Sequence, residues 1–108
     1  MALTHAQPNE VVDLRPLGPS LVDSKTTALV KANQFEAVRL VLLGGRHIPA
    51  HNLAGQVTFL CLEGCVTIHA ETDIRLQAGE WVYLDRAVPH SLSAERDSSL
   101  LLTIHFDT

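Results

Sequence analysis

Residues 45–64 read GRHIPAHNLAGQVTFLCLEG, and residues 79–94 read GEWVYLDRAVPHSLSA. Each stretch opens on a glycine and carries histidine among short apolar runs. Such glycines mark tight turns where a Cβ would be costly, whatever the chemistry nearby. Outward from these stretches the pattern is strand, turn, strand. Thr26 to Lys31 and Phe35 to Leu43 are rich in β-branched and apolar residues; Ala32-Asn33-Gln34 separates them and Gly44-Gly45 stops the second. In Val66 to Ala70, Val66, Ile68 and Ala70 alternate with Thr67 and His69, the period of a half-buried strand. Further strands are predicted at Ile74 to Leu76, Glu80 to Leu84, His90 to Ala94 and Leu100 to Phe106.

No segment shows a helical period, and many short strands with regular turn signals mean a sandwich or a barrel. A barrel or jelly roll hides its edges best. Met1 to Ser20 holds three of the five prolines and reads as an irregular or edge-strand arm. The expected organisation is an arm over residues 1–23 and one all-β domain over 24–108. Val57 to Leu62 and Val66 to Ala70 are expected to form a hairpin turning at Glu63-Gly64. That pairing sets Cys61 and Cys65 on opposite faces and disfavours a disulfide between them. Both cysteines read as structural thiols.

The chain has 108 residues, 46% hydrophobic and 19% charged, which suits one globular domain. Its net charge is −4, with no run of Lys or Arg, so the phosphate-neutralising surface that nucleic-acid binding needs is missing. The first ten residues hold no signal-peptide segment, and the longest aliphatic run, Leu40 to Leu43, falls far short of the roughly 20 residues of a membrane span. The expectation is a soluble, cytoplasmic protein that binds neither nucleic acid nor membrane.

The two glycine-led stretches resemble the motifs of the cupin superfamily, G-x5-H-x-H-x3/4-E-x6-G and G-x5-P-x-G-x2-H-x3-N. The first registers without a gap as Gly45, His51, Leu53, Val57 and Gly64; the second gives Gly79, Asp85, Ala87, His90 and Ala94. The resemblance spans about Ser24 to Phe106 and implies a cupin-type β-barrel, a double-stranded β-helix or jelly roll. In metal-binding cupins two His and one acid from the first motif and one His from the second converge on one ion. Here Leu53, Val57 and Ala94 replace the second His, the acid and the final Asn, so only His51 and His90 remain. Two imidazoles hold a divalent transition metal such as Zn, Ni, Fe or Cu only weakly. His47, four residues before His51, shares its facing in an extended segment, and Gln56 could add a carbonyl oxygen if a bulge turned it inward.

Two readings of His51 and His90 stay open: a residual metal site, or hydrogen-bonded histidines lining a pocket. Leu53, Val57, Phe59 and Leu92 share facing with them, as the apolar wall of a small-molecule pocket or as barrel filling. The favoured function is small-molecule binding around His51 and His90. The alternatives are a metal-dependent oxygenase or isomerase, and a scaffold or partner-dependent sensor. Whether the protein is an enzyme stays open. The resemblance extends to the effector-binding half of AraC-type regulators, but the last strand ends too close to Thr108 to leave room for a helix-turn-helix. Trp81 and Tyr83 fall on the face opposite Val82 and Leu84 and suggest a protein interface. Small cupins commonly pair, partly through N-terminal strands, so a homodimer is expected. His5, His69, Thr103 and His105 read as outward. Asp97-Ser98-Ser99 reads as an ordinary turn, and no Ser-His-Asp arrangement survives the strand parities.

Overall fold

The computed structural model describes residues 5–51 and 55–106, residue 51 by its backbone alone. A 3-10 helix, Gly18–Asp23, precedes nine strands: β1 Thr27–Lys31, β2 Phe35–Leu42, β3 His47–His51, β4 Val57–Glu63, β5 Cys65–His69, β6 Asp73–Gln77, β7 Trp81–Leu84, β8 His90–Ala94 and β9 Ser98–His105. They form two antiparallel sheets, one of five strands in the order β1-β2-β9-β4-β7 and one of four in the order β3-β8-β5-β6. The chain is therefore all-β with a jelly-roll arrangement.

Period-two alternation builds the core. Val57, Phe59 and Cys61 of β4, Val66 and Ile68 of β5, Leu92 and Ala94 of β8 and Leu100 of β9 are all buried in one cluster with Leu42, Leu76 and Leu84. Leu40, Val82, Leu102 and Ile104 pack against it from the same sides of their strands. Trp81 and Tyr83 alternate with Val82 and Leu84 and are 58% and 55% exposed, as the pattern predicts.

Three local expectations need correction. The hairpin at Glu63-Gly64 does not form, because β4 and β5 belong to different sheets. Gly64, at φ +90°, instead turns the chain from one sheet into the other. Cys61 and Cys65 are both buried free thiols, and burial pushes the Cys61 thiol up. Ser98 and Ser99 do not lie in a turn; they begin β9 and are fully buried. Burial is tolerated because each hydroxyl is satisfied: Ser98 Oγ accepts from the Cys65 amide at 3.0 Å and donates to the Arg96 carbonyl at 2.7 Å, and Ser99 Oγ donates to Glu63. β3, missing from the predicted strands, pairs with β8 despite Pro49.

The arm carries the 3-10 helix and, among the described residues before Thr27, no strand. It is held by polar contacts. The Ala6 amide donates to the Leu29 carbonyl at 2.7 Å, and the Leu17 and Gly18 amides donate to Glu63 at 3.0 and 3.1 Å. Arg39, on the outer face of β2, donates to the Arg15 carbonyl at 2.7 Å and lies 3.7 Å from Glu63. Nearby, the bidentate contact with Arg15 holds the exposed Asp13 carboxyl down to about 2. No helix among the described residues is long and apolar enough to cross a membrane.

Candidate functional site

His90 opens β8 at one end of the sandwich and points inward, since Leu92 and Ala94, two and four residues on, are core residues. It is only 2% exposed. Its Nδ1 lies 3.0 Å from the Val88 carbonyl, which can only accept, so the proton sits on Nδ1. In the neutral ring Nε2 then carries the lone pair. The Phe59 ring meets the imidazole edge to face, with centroids 5.8 Å apart and planes at 79°. Val57, Phe59 and Leu92 are buried in the same core. Of the predicted pocket-lining set, the structure thus brings together Val57, Phe59, His90 and Leu92. The His51 backbone is registered opposite His90 across β3 and β8; its side chain and Leu53 lie outside the described residues.

His47 does not share the facing expected of it. His47 pairs with Ser93 and Ile48 with Leu92, whereas His51 pairs with His90. One extra residue on β3 between these pairs shifts the alternation, so His47 lies with Ser93 on the outer face and is exposed. Gln56 does not turn inward either. Its Nε2 donates to Asp85 Oδ1 at 3.2 Å. The Arg86 amide and this contact together lower the Asp85 carboxyl below its ordinary value. His5 and His105 are exposed, and Thr103 is half-buried.

The donor set for a metal is not completed by these residues. Val57 stands where an acid would be needed, His47 is outside, and Gln56 is tied to Asp85. Among the described residues no three His, Cys, Asp or Glu side chains form a group able to hold an ion. A cleft of about 420 Å³ opens at the same end, between the edge strands β6 and β7. Ile74, Leu84 and Val88 supply apolar wall, Tyr83 an aromatic one, and Glu71 and Asp85 carboxylates. Val88 joins the two features, because its carbonyl orients His90 while the residue also lines the cleft.

A second cluster corrects the expectation that no Ser-His-Asp arrangement exists. On the outer face of the four-stranded sheet, His69 Nδ1 lies 3.0 Å from Asp73 Oδ1 and Nε2 lies 2.9 Å from Ser93 Oγ. From the sequence only His69 reads as outward, and Asp73 falls before the strand predicted from Ile74. The register of β5 between β6 and β8, which joins them, is a long-range fact that parity does not carry.

No protein-family profile and no curated protein matches the sequence. Solved structures do. A conserved protein of unknown function from Streptococcus pyogenes is 19% identical, with a TM-score of 0.77 over 100% of this chain and 99% of its own. A cupin superfamily protein from Desulfitobacterium hafniense is 16% identical, with a TM-score of 0.78 over 94% of this chain and 100% of its own. A DMSP lyase from Ruegeria pomeroyi is 19% identical, with a TM-score of 0.70 over 86% of this chain and 52% of its own. At such identities the likeness is one of fold.

Proposed function

Since this chain has the cupin fold, we propose that it binds a small, largely apolar molecule at the His90 end of the sandwich. The observation that carries the reading is His90 itself. A buried imidazole oriented by the Val88 carbonyl stands among apolar walls, beside a cleft of ligand size. Its complement is a small molecule whose apolar body packs against those walls. A thermal-shift screen of small aromatic and aliphatic alcohols, amines and acids tests this, repeated on His90→Leu. Binding to the folded state alone stabilises by about 2.7 kcal/mol at a hundredfold excess over Kd. A compound that raises the Tm of the wild type but not of His90→Leu supports the reading. Hits indifferent to that substitution, or none at all, overturn it.

The metal-dependent enzyme reading has one observation in its favour, the registration of the His51 backbone opposite His90. The described donors count against it. Metal analysis after loading with Zn, Ni, Fe or Cu, repeated on His51→Ala, separates the two. A stoichiometric metal lost in the variant would replace the first reading.

A homodimer, and with it a scaffold or sensor role, rests on the outer face of the five-stranded sheet. There Trp81, Leu60 and Leu101 form one cross-strand row, with Tyr83 6.2 Å from Trp81 between ring centroids. Sedimentation velocity of wild type and Trp81→Glu checks it: a dimer lost in the variant supports this surface. Two buried thiols suit a reducing compartment, in keeping with a cytoplasmic protein.

A further inference from the structure

The cluster on the outer face of the four-stranded sheet is built by register. Alternation places Val66 and Ile68 of β5 inside and Thr67 and His69 outside. Asp73 is the cross-strand partner of His69 on β6, and Ser93 of β8 is the partner of Thr67, one diagonal step from His69. Three side chains from three strands therefore meet on one surface. A carboxylate can only accept, so the His69 proton sits on Nδ1 and is donated to Asp73 at 3.0 Å. Nε2 of the neutral ring must then accept from Ser93 Oγ–H at 2.9 Å. That order of donors is the one in which a base activates a hydroxyl and a carboxylate fixes the base's tautomer.

We propose that Ser93 is a nucleophile activated by His69, with Asp73 as positioning residue, and that the face performs acyl transfer from small esters to water. As Ser93 Oγ attacks the ester carbonyl carbon, its proton passes to His69 Nε2. The C–O bond to the alcohol breaks and the leaving oxygen takes that proton, giving an acyl-serine. Water then repeats the steps, donating its proton to Nε2 as it attacks, and the acyl group leaves as a carboxylic acid while Ser93 regains its hydrogen. The His69 side chain is 38% exposed on an open sheet face, so the reacting atoms are reachable but nothing grips a large substrate. The site suits small acyl groups. Arg75, on the same face, is committed to Glu95 at 3.0 and 3.1 Å. The cluster lies on the opposite side of the sheet from His90, so it stands or falls apart from ligand binding there.

A fluorophosphonate tests the nucleophile directly, because an Oγ–P bond forms as fluoride leaves and the label can be mapped by peptide mass. Ser91 is the internal control, two residues away on the same face of the same strand. General-base assistance is worth about 10²–10⁴-fold. Ser93 is therefore expected to label at least about 100-fold faster than Ser91, and His69→Gln to remove that advantage. Asp73→Asn is expected to slow labelling roughly tenfold or more while Asp73→Glu retains most of the rate, a pattern that loss of a merely structural contact would not give. Hydrolysis of 4-nitrophenyl acetate follows the same order and is lost in Ser93→Ala. Equal labelling of Ser91 and Ser93, no labelling, or a rate unchanged in His69→Gln overturns the proposal. The two serines are compared within the wild-type protein, so that result decides even where a variant fails to fold.

Discussion

The Glu63 carboxylate lies 3.7 Å from the Arg39 guanidinium, and the two side chains are 13% and 10% exposed beneath the N-terminal arm. Ser99 Oγ and the Leu17 and Gly18 amides donate to the same carboxylate, while Arg39 donates to the Arg15 carbonyl. One buried pair thus ties β2, β4 and β9 to the arm. Glu63→Gln leaves Arg39 buried without its countercharge. It also replaces one accepting oxygen by an NH2, which then faces the Gly18 amide or the Leu17 and Ser99 donors instead of accepting from them. The expected loss is about 2–4 kcal/mol, somewhat below the full cost of an unpaired buried charge because both groups keep some water. Chemical denaturation measures it, and limited proteolysis should show the arm cut first in the variant.

Acid should undo the same contact. Burial pushes the Glu63 carboxyl up, but Ser99, the Leu17 and Gly18 amides and Arg39 outweigh it, leaving the group below its ordinary 4.5. The unfolded chain therefore takes up this proton first as pH falls. The contribution is complete above the ordinary value and is lost as pH drops through the lower folded one. Wild type and Glu63→Gln are expected to differ at pH 7 and to converge in acid. A gap that stays constant to well below pH 4.5 would mean that ionisation of Glu63 is not what holds the arm.

Most strands were legible because their signal is local: Val66, Ile68, Thr67 and His69 alternate whatever they pair with. Which sheet a strand joins is not local. Leu62-Glu63-Gly64-Cys65 reads as a hairpin turn, yet the partners of β4 are β7 and β9, far along the chain. Ser98 and Ser99 looked like turn residues because their burial depends on acceptors supplied from elsewhere. At the site, inward-facing His90 followed from parity with Leu92, but the extra residue between Ile48 and His51 left His47 outside. Of the outer cluster only His69 was legible as outward; Asp73 fell before the strand predicted from Ile74, and the meeting of both with Ser93 depends on register between strands.

Ala87 has φ +59°, in the left-handed region, at the position where the cupin motif carries glycine. A non-glycine residue there costs about 1–2 kcal/mol, offset by the roughly 0.5–1 kcal/mol of extra entropy that glycine loses on folding. Ala87→Gly is therefore expected to stabilise by up to about 1 kcal/mol, read as a raised Tm or denaturation midpoint. A lower Tm would show that the loop before His90 gains more from a stiff backbone than it loses to strain.

Gly64 faces the opposite demand, because both its dihedral and its surroundings exclude a side chain. Its φ is +90°, and a Cβ there would fall 2.7 Å from Ser98 Cα and run into Ser98 Oγ and the Asp97 carbonyl. Neither backbone atom can swing aside as the tip of a flexible side chain would. Moving Ser98 would also break the bonds through which its hydroxyl serves the Cys65 amide and the Arg96 carbonyl, both next to the crossing between sheets. Gly64→Ala thus combines about 1–2 kcal/mol of left-handed strain with about 1–3 kcal/mol of overpacking, before any hydrogen bond is lost. The expected result is a loss of at least about 3 kcal/mol, or failure to fold, against the modest gain at Ala87. Ser98→Ala in the Gly64→Ala background separates the two causes: it removes the hydroxyl the new Cβ meets but leaves the backbone strain, so it should recover only part of the stability. Complete recovery would place the whole cost on that hydroxyl, and a Gly64→Ala protein as stable as wild type would mean that β4 and β5 are not joined by this turn.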